Sequence, residues 1–243
     1  MIVEKFFGGI VLLLFLGILL TGCQRKVFSS HERALILQGK PYHKMRVLMN
    51  NIPADNKILR RRSTPIRSDD PLMALFIARL RITMEELGGV GIAAPQIGIN
   101  KRIILVKYPQ KGSKKSVVTA YINPFIVKKA KKKVSDWEGC LSVPSGFGQV
   151  MRPRWVVIHY NDLNGKKGTL KVSGRHARIF LHEIDHLNGV LFIDKKTKKP
   201  LVPKDVYRKL RAERKKKLQE KKQKKEKLKK ETKQKEKKMG RKI

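Results

Sequence analysis

HARIFLHEIDHLNG, residues 176–189, has the apolar spacing of a helix and closes on Gly189. Its middle, His182-Glu183-Ile184-Asp185-His186, carries the sharpest chemical signal in the chain. Residues four apart share a helix face, so the two imidazoles converge on one point. Histidines in this pattern hold a divalent metal, and Glu183 is placed to take a proton from a water bound to it. The competing reading is a pair of partly buried histidines on an amphipathic helix. A third ligand decides between them.

Downstream, LNGVLFIDKKTKK (187–199) offers Asp194 as its single anionic candidate. Upstream, EGCLSVP (138–144) offers Cys140 in a glycine-flanked segment. A thiolate there completes a Cys-His-His set with a fourth position left for water, the pattern of a catalytic rather than a structural site. Such a mixed thiolate and imidazole set accepts one divalent ion, with Fe(II), Zn, Ni and Co all compatible.

The flanking sequence supplies the scaffold. DPLMALFIARLRITMEEL (70–87) has helical spacing, with Asp70 as N-cap, Pro71 in the first turn and Gly88-Gly89 as the stop. RIILVKY (102–108), SVVTAYINPFIV (116–127) and RWVVIHY (154–160) are β-branched and aromatic, and Asn164-Gly165 turns the chain before GTLKV. The expected fold is α+β, with antiparallel or mixed β-sheets packed around a central metal-binding helix carrying HEIDH.

Three segments in order, GGVGIAAPQIG (88–98), EGCLSVP (138–144) and HEIDH (182–186), resemble the signature motifs of peptide deformylases, within a match running from about residue 58 to 195. The resemblance implies a metal-dependent hydrolase that removes the formyl group from N-formylmethionyl peptides, with Fe(II) as the expected ion. It also implies roles for single residues. Gly91 matches the glycine whose backbone lies along the bound peptide. Gln96 and the backbone N–H of Leu141 match the donors to the oxyanion, and Ile184 lies where the methionine pocket meets the metal helix. Two positions depart from the pattern: Phe147 stands where the family usually has arginine beside the peptide groove, and Leu181 where it often has glutamine. Unchanged chemistry with altered substrate affinity is the expected result.

The ends of the chain read differently. Residues 6–20, FFGGIVLLLFLGILL, are shorter than a comfortable bilayer span, and Leu20-Thr21-Gly22-Cys23 resembles a lipoprotein lipobox. That resemblance implies lipid on Cys23 and a membrane-associated protein. The alternatives are an uncleaved anchor helix, or translation from Met45 and a cytoplasmic enzyme. The domain boundaries expected are a signal segment over 1–23, a polar tether over 24–55, the catalytic domain over 56–200 and a lysine-rich tail over 201–243. The tail is expected to be disordered or a lone, solvated helix.

Of the 243 residues, 57 are Lys or Arg and 19 Asp or Glu, a net charge of +38. From Arg208 onward, 20 basic and 5 acidic residues supply +15 of it. Such a field draws the chain toward polyanions, with ribosomal RNA or an anionic membrane as partners for the tail. Two cysteines exclude a disulfide scaffold. His31, His43, His159 and His176 lack ligand spacing and read as structural or surface residues. A monomer is expected. Two other function classes stand beside the deformylase reading: a related metalloamidase or peptidase acting on another acyl group, and a ribosome- or membrane-binding protein whose catalytic domain is idle.

Overall fold

Strand β2 (Ile103–Pro109) sets the layering, because its unbroken apolar run buries both faces. Ile103 and Leu105 point into one core cluster with Phe76, Leu80 and Met84 of helix α3 (Met73–Glu86). Ile104 and Val106 point into a second, with Phe180 and Leu187 of helix α4 (Gly174–Leu187). The computed structural model describes residues 27–109 and 116–239. Around β2 an antiparallel five-stranded sheet runs in the order β1-β2-β3-β6-β7, with β1 (Gly91–Ala93), β3 (Ser116–Lys129), β6 (Trp155–Asn161) and β7 (Lys167–Ser173). Strands β4 (Lys133–Cys140) and β5 (Val143–Pro153) form a separate hairpin.

Both helices of the sandwich stop at glycines with positive φ. Gly88 (φ 69°) ends α3. Gly189 (φ 71°) follows α4 and lies so close to the Arg60 carbonyl that a Cβ would collide with it. The start of α3 corrects one expectation. Asp70 is not its N-cap; the helix begins after Leu72, and the Asp70 carboxylate instead accepts from the Leu72 and Phe28 amides and pairs with Arg33.

The polar tether expected over 24–55 is also corrected, for residues 27–55. They carry helices α1 (Ser30–Leu37) and α2 (Pro53–Leu59) and lie on the domain. A capping box starts α1: Ser29 Oγ accepts from the Glu32 amide and Glu32 returns the bond to the Ser29 N–H. Phe28 and Ile36, 2 % and 0 % exposed, join the first core cluster. No clean period marked this stretch in the sequence, since its apolar residues face both ways: Phe28, Ile36, Met45, Val47 and Leu48 are buried, whereas Leu37, Tyr42 and Ile52 are exposed. Translation from Met45 would strip both side chains from the core.

From Lys204 to Met239 the tail is one helix, α5, and its first turns touch the hairpin, with Tyr207 stacked on Phe147 and Arg214 paired with Asp136. The lipobox, including Cys23, and residues 240–243 lie outside the described residues. Among the described residues, no helix is long and apolar enough to cross a membrane.

Candidate metal centre

The β4–β5 hairpin and α4 meet edge to face, and the hairpin turn brings Cys140 over the helix. One ligand atom each from Cys140, His182 and His186 lie within 4.8 Å of one another. Cys140 Sγ is 3.2 Å from His186 Nε2. Metal bonds of about 2.0–2.3 Å to nitrogen and sulfur require donors at such spacings. Cys140 is a free thiol.

The rings are oriented from behind. His182 Nδ1 lies 3.0 Å from Glu138 Oε2, which leaves Nε2 to face the thiol. Glu138 is itself held by Arg152 through two bonds and by Arg178 through one, at 2.7–2.9 Å, and Arg152 also pairs with Asp185. Burial pushes the Glu138 carboxyl up, but the guanidinium of Arg152 and the His182 ring outweigh it, so Glu138 is held far below the usual carboxylate range. Burial likewise disfavours charge on His182, yet Cys140 and Glu138 hold that ring well above the ordinary histidine value. His186 is pushed well below it, by burial first and by His182 next. The two rings are thus shifted in opposite directions.

Glu183 sits beside the ligands with its carboxylate against β1. Burial, with a smaller push from Glu138, raises it to about 7. Its Oε2 and His186 Nδ1 are buried without a hydrogen-bond partner among the described residues. At Gly91 a Cβ would run into Glu183 Oε1. The expected reason for this glycine was access for a peptide backbone; the structure adds room for the Glu183 carboxylate. Gln96, 2 % exposed, lies in the 3₁₀ turn Ala94–Ile97, anchored by its Oε1 accepting from the Ala93 amide. Its Nε2 points to Cys140 Sγ at 3.5 Å and to Ser142 Oγ at 3.2 Å. Leu141 occupies the turn between Cys140 and Ser142, half-buried.

Two expected substrate residues have well-defined packing partners. Ile184 is buried in the core cluster under α4 with Ala93 and Phe180. Phe147 stacks on Tyr207 of α5, ring centroids 4.0 Å apart and planes 9° from parallel, and covers Gly139. Leu181 joins the same core cluster as Ile184, which suits an apolar side chain.

Sequence reading missed the supporting shell of Glu138, Arg152, Arg178 and Asp185. A signal was present: Arg178 precedes His182 by four residues on α4, and Glu138 precedes Cys140 by two on one strand, each pair sharing a face.

Residues 49–200 match the family model described as polypeptide deformylase, more than half of the chain. The chain belongs to the peptide deformylase family. A peptide deformylase of Roseiflexus sp. (strain RS-1) is 38 % identical over 161 residues, 62 % of this chain and 87 % of that one. The crystal structure of peptide deformylase from Thermotoga maritima aligns with a TM-score of 0.57 at 34 % identity, over 64 % of this chain and 99 % of that chain. The Met-Ala-Ser-bound class I type b peptide deformylase from Acinetobacter baumannii gives 0.56 at 33 %, over 63 % and 98 %. Deformylases are hydrolases that remove formyl groups from peptides with a divalent metal, and this deformylase has a Cys-His-His cluster that fits one.

Proposed function

We propose that this deformylase hydrolyses N-formylmethionyl peptides at one divalent ion held by Cys140, His182 and His186, with Glu183 as general base. The convergence of those three donors beside a buried carboxylate carries the reading. The ion, when bound, supplies Lewis-acid polarisation and makes its water acidic near neutral pH. Glu183 takes the proton of the attacking water on its carboxylate and delivers it to the departing amine nitrogen. Gln96 Nε2 and the Leu141 N–H donate to the oxygen that gains charge as the formyl carbon becomes tetrahedral. Glu138 fixes the His182 ring, and the missing side chain at Gly91 keeps Glu183 in place. Fe(II) is the proposed ion, with Zn, Ni or Co as substitutes the same donors accept.

Formate release from formyl-Met-Ala-Ser by protein purified without oxygen, with metal measured on the same sample, tests this. Glu183→Gln is expected to retain the ion and lose about 10²–10⁴-fold in turnover. Parental turnover in that variant, or in metal-free protein, sinks the reading. Faster cleavage of acetyl-Met-Ala-Ser would point to the metalloamidase alternative.

The lysine-rich α5 is proposed as an electrostatic tether to ribosomal RNA or anionic lipid, with binding that collapses as salt rises. Co-sedimentation that survives deletion of residues 208–243 would remove the idea. Lipid attachment at Cys23 is proposed to hold the domain at a membrane, the alternative being a cytoplasmic enzyme. Membrane fractionation and protease accessibility in intact cells separate the two.

A further inference from the structure

The five-stranded sheet is covered by α4 on only one side at its β6–β7 end. Val156, Ile158 and Val172 face that helix and are buried. Alternation turns Trp155, Val157 and His159 to the opposite side. Register adds Phe125 and Thr169 in one row with His159, and Lys128 and Lys171 in the next row with Val157.

Three features of this face point to one kind of ligand. Phe125, 52 % exposed, lies edge-to-face with His159 at 5.4 Å, so aromatic surface is open to solvent on the sheet. The Lys171 ammonium lies 5.2 Å from the centre of the half-buried Trp155 ring, a cation beside a second aromatic. None of β3, β6 or β7 contains an Asp or Glu. The face is thus aromatic, basic and free of negative charge. Lysines 131–133 extend the positive charge beyond the end of β3.

We propose that this face binds single-stranded nucleic acid, with bases stacking on Phe125 and Trp155 and phosphates meeting Lys128 and Lys171. Stacking on rings with adjacent cations suits unpaired bases, because every base offers a flat face and every nucleotide a charge. Rows of same-face residues recur about every 6.7 Å along a strand, which lets successive nucleotides meet ring and lysine in turn. A membrane fits less well. Insertion needs a contiguous apolar stripe, whereas lysines interrupt the rings here. The sheet itself separates the face from the metal helix, so the surface lies on the opposite side of the sheet from that helix.

The test uses the full chain, with three probes at fixed salt: a short oligouridylate, inorganic polyphosphate, and phosphatidylserine vesicles. Phe125→Ala is expected to weaken oligouridylate binding about tenfold, within the range for one lost stacked base, and to leave polyphosphate binding at the parental level. Lys171→Glu is expected to weaken oligouridylate and to lower its salt slope by about one. Formate release should remain parental in both variants and reports that each is folded. The proposal is overturned by oligouridylate affinity unchanged in Phe125→Ala, or by an equal loss for polyphosphate, which would mean charge alone. Weakened vesicle binding with intact oligouridylate binding overturns it too, and assigns the face to a membrane.

Discussion

Gly91 and Glu138 show how much a centre depends on residues that perform no chemistry. Adding one methyl at Gly91 drives it into the Glu183 carboxylate. Gly91→Ala should therefore cut turnover at least 10²-fold, since a catalytic group displaced by about 1 Å costs that much. Its urea midpoint should stay near the parent's, because Gly91 is at the rim of β1. Normal formate release in Gly91→Ala would remove the steric account. Glu138 has the opposite character, being buried among charges. Glu138→Gln keeps the shape but leaves Arg152 and Arg178 without their carboxylate. Metal affinity is expected to fall about 10–100-fold, as for other groups that orient a ligand histidine. Stability should drop by roughly 3–5 kcal/mol, the usual result of breaking a buried ion pair from one side. Chelator competition and denaturant titration read the two effects separately.

At the scale of elements, the β4–β5 hairpin links the tail to the centre. Its inward face carries Glu138 and Cys140 toward α4. Phe147 on β5 exchanges two backbone hydrogen bonds with Val202 at 2.9 Å, and its ring takes the stack of Tyr207. Arg214, farther along α5, pairs with Asp136 on β4 at 2.7 Å. The departure at Phe147 is thus matched by an aromatic residue on the tail helix. Tyr207→Ala should lower stability by about 0.5–1.5 kcal/mol, the worth of an aromatic pair, while Tyr207→Phe stays parental because the ring and not the hydroxyl makes the stack. Equal losses in both variants would assign the effect to the hydroxyl. Phe147→Arg carries the same loss, so a gain in substrate affinity from it must be read against a loosened helix.

For the whole molecule, the metal couples chemistry to folding. An ion bound by three donors of the native state, and far more weakly by the unfolded chain, adds stability by mass action. At a hundredfold excess over its dissociation constant the gain is about 2.7 kcal/mol, which for a domain of this size raises the melting temperature by roughly 5–10 °C. Thermal scans with stepped metal should show this rise in the parent and its loss in Cys140→Ser. A melting temperature indifferent to metal would contradict the Cys-His-His set. The basic helix should leave that difference untouched, because its described side chains face solvent along most of its length.

The sequence alone determined the strands β2, β3, β6 and β7 and helices α3 and α4 to within a few residues, because each has its own period and its own turn or glycine stop. It also offered the three candidate donors that the structure brings together, since HEIDH is a local helical pattern and Cys140 sits in a glycine-flanked segment upstream. Only the tertiary structure decided what surrounds them. Glu138, Arg152, Arg178 and Asp185 come from three elements, and no spacing rule joins residues whose contact depends on how a hairpin lies on a helix. The same is true of residues 27–44, polar in composition yet folded onto the core, and of Phe147, whose neighbour Tyr207 lies sixty residues away in sequence. Period and chemistry are local properties of a chain. Burial and pairing belong to its packing.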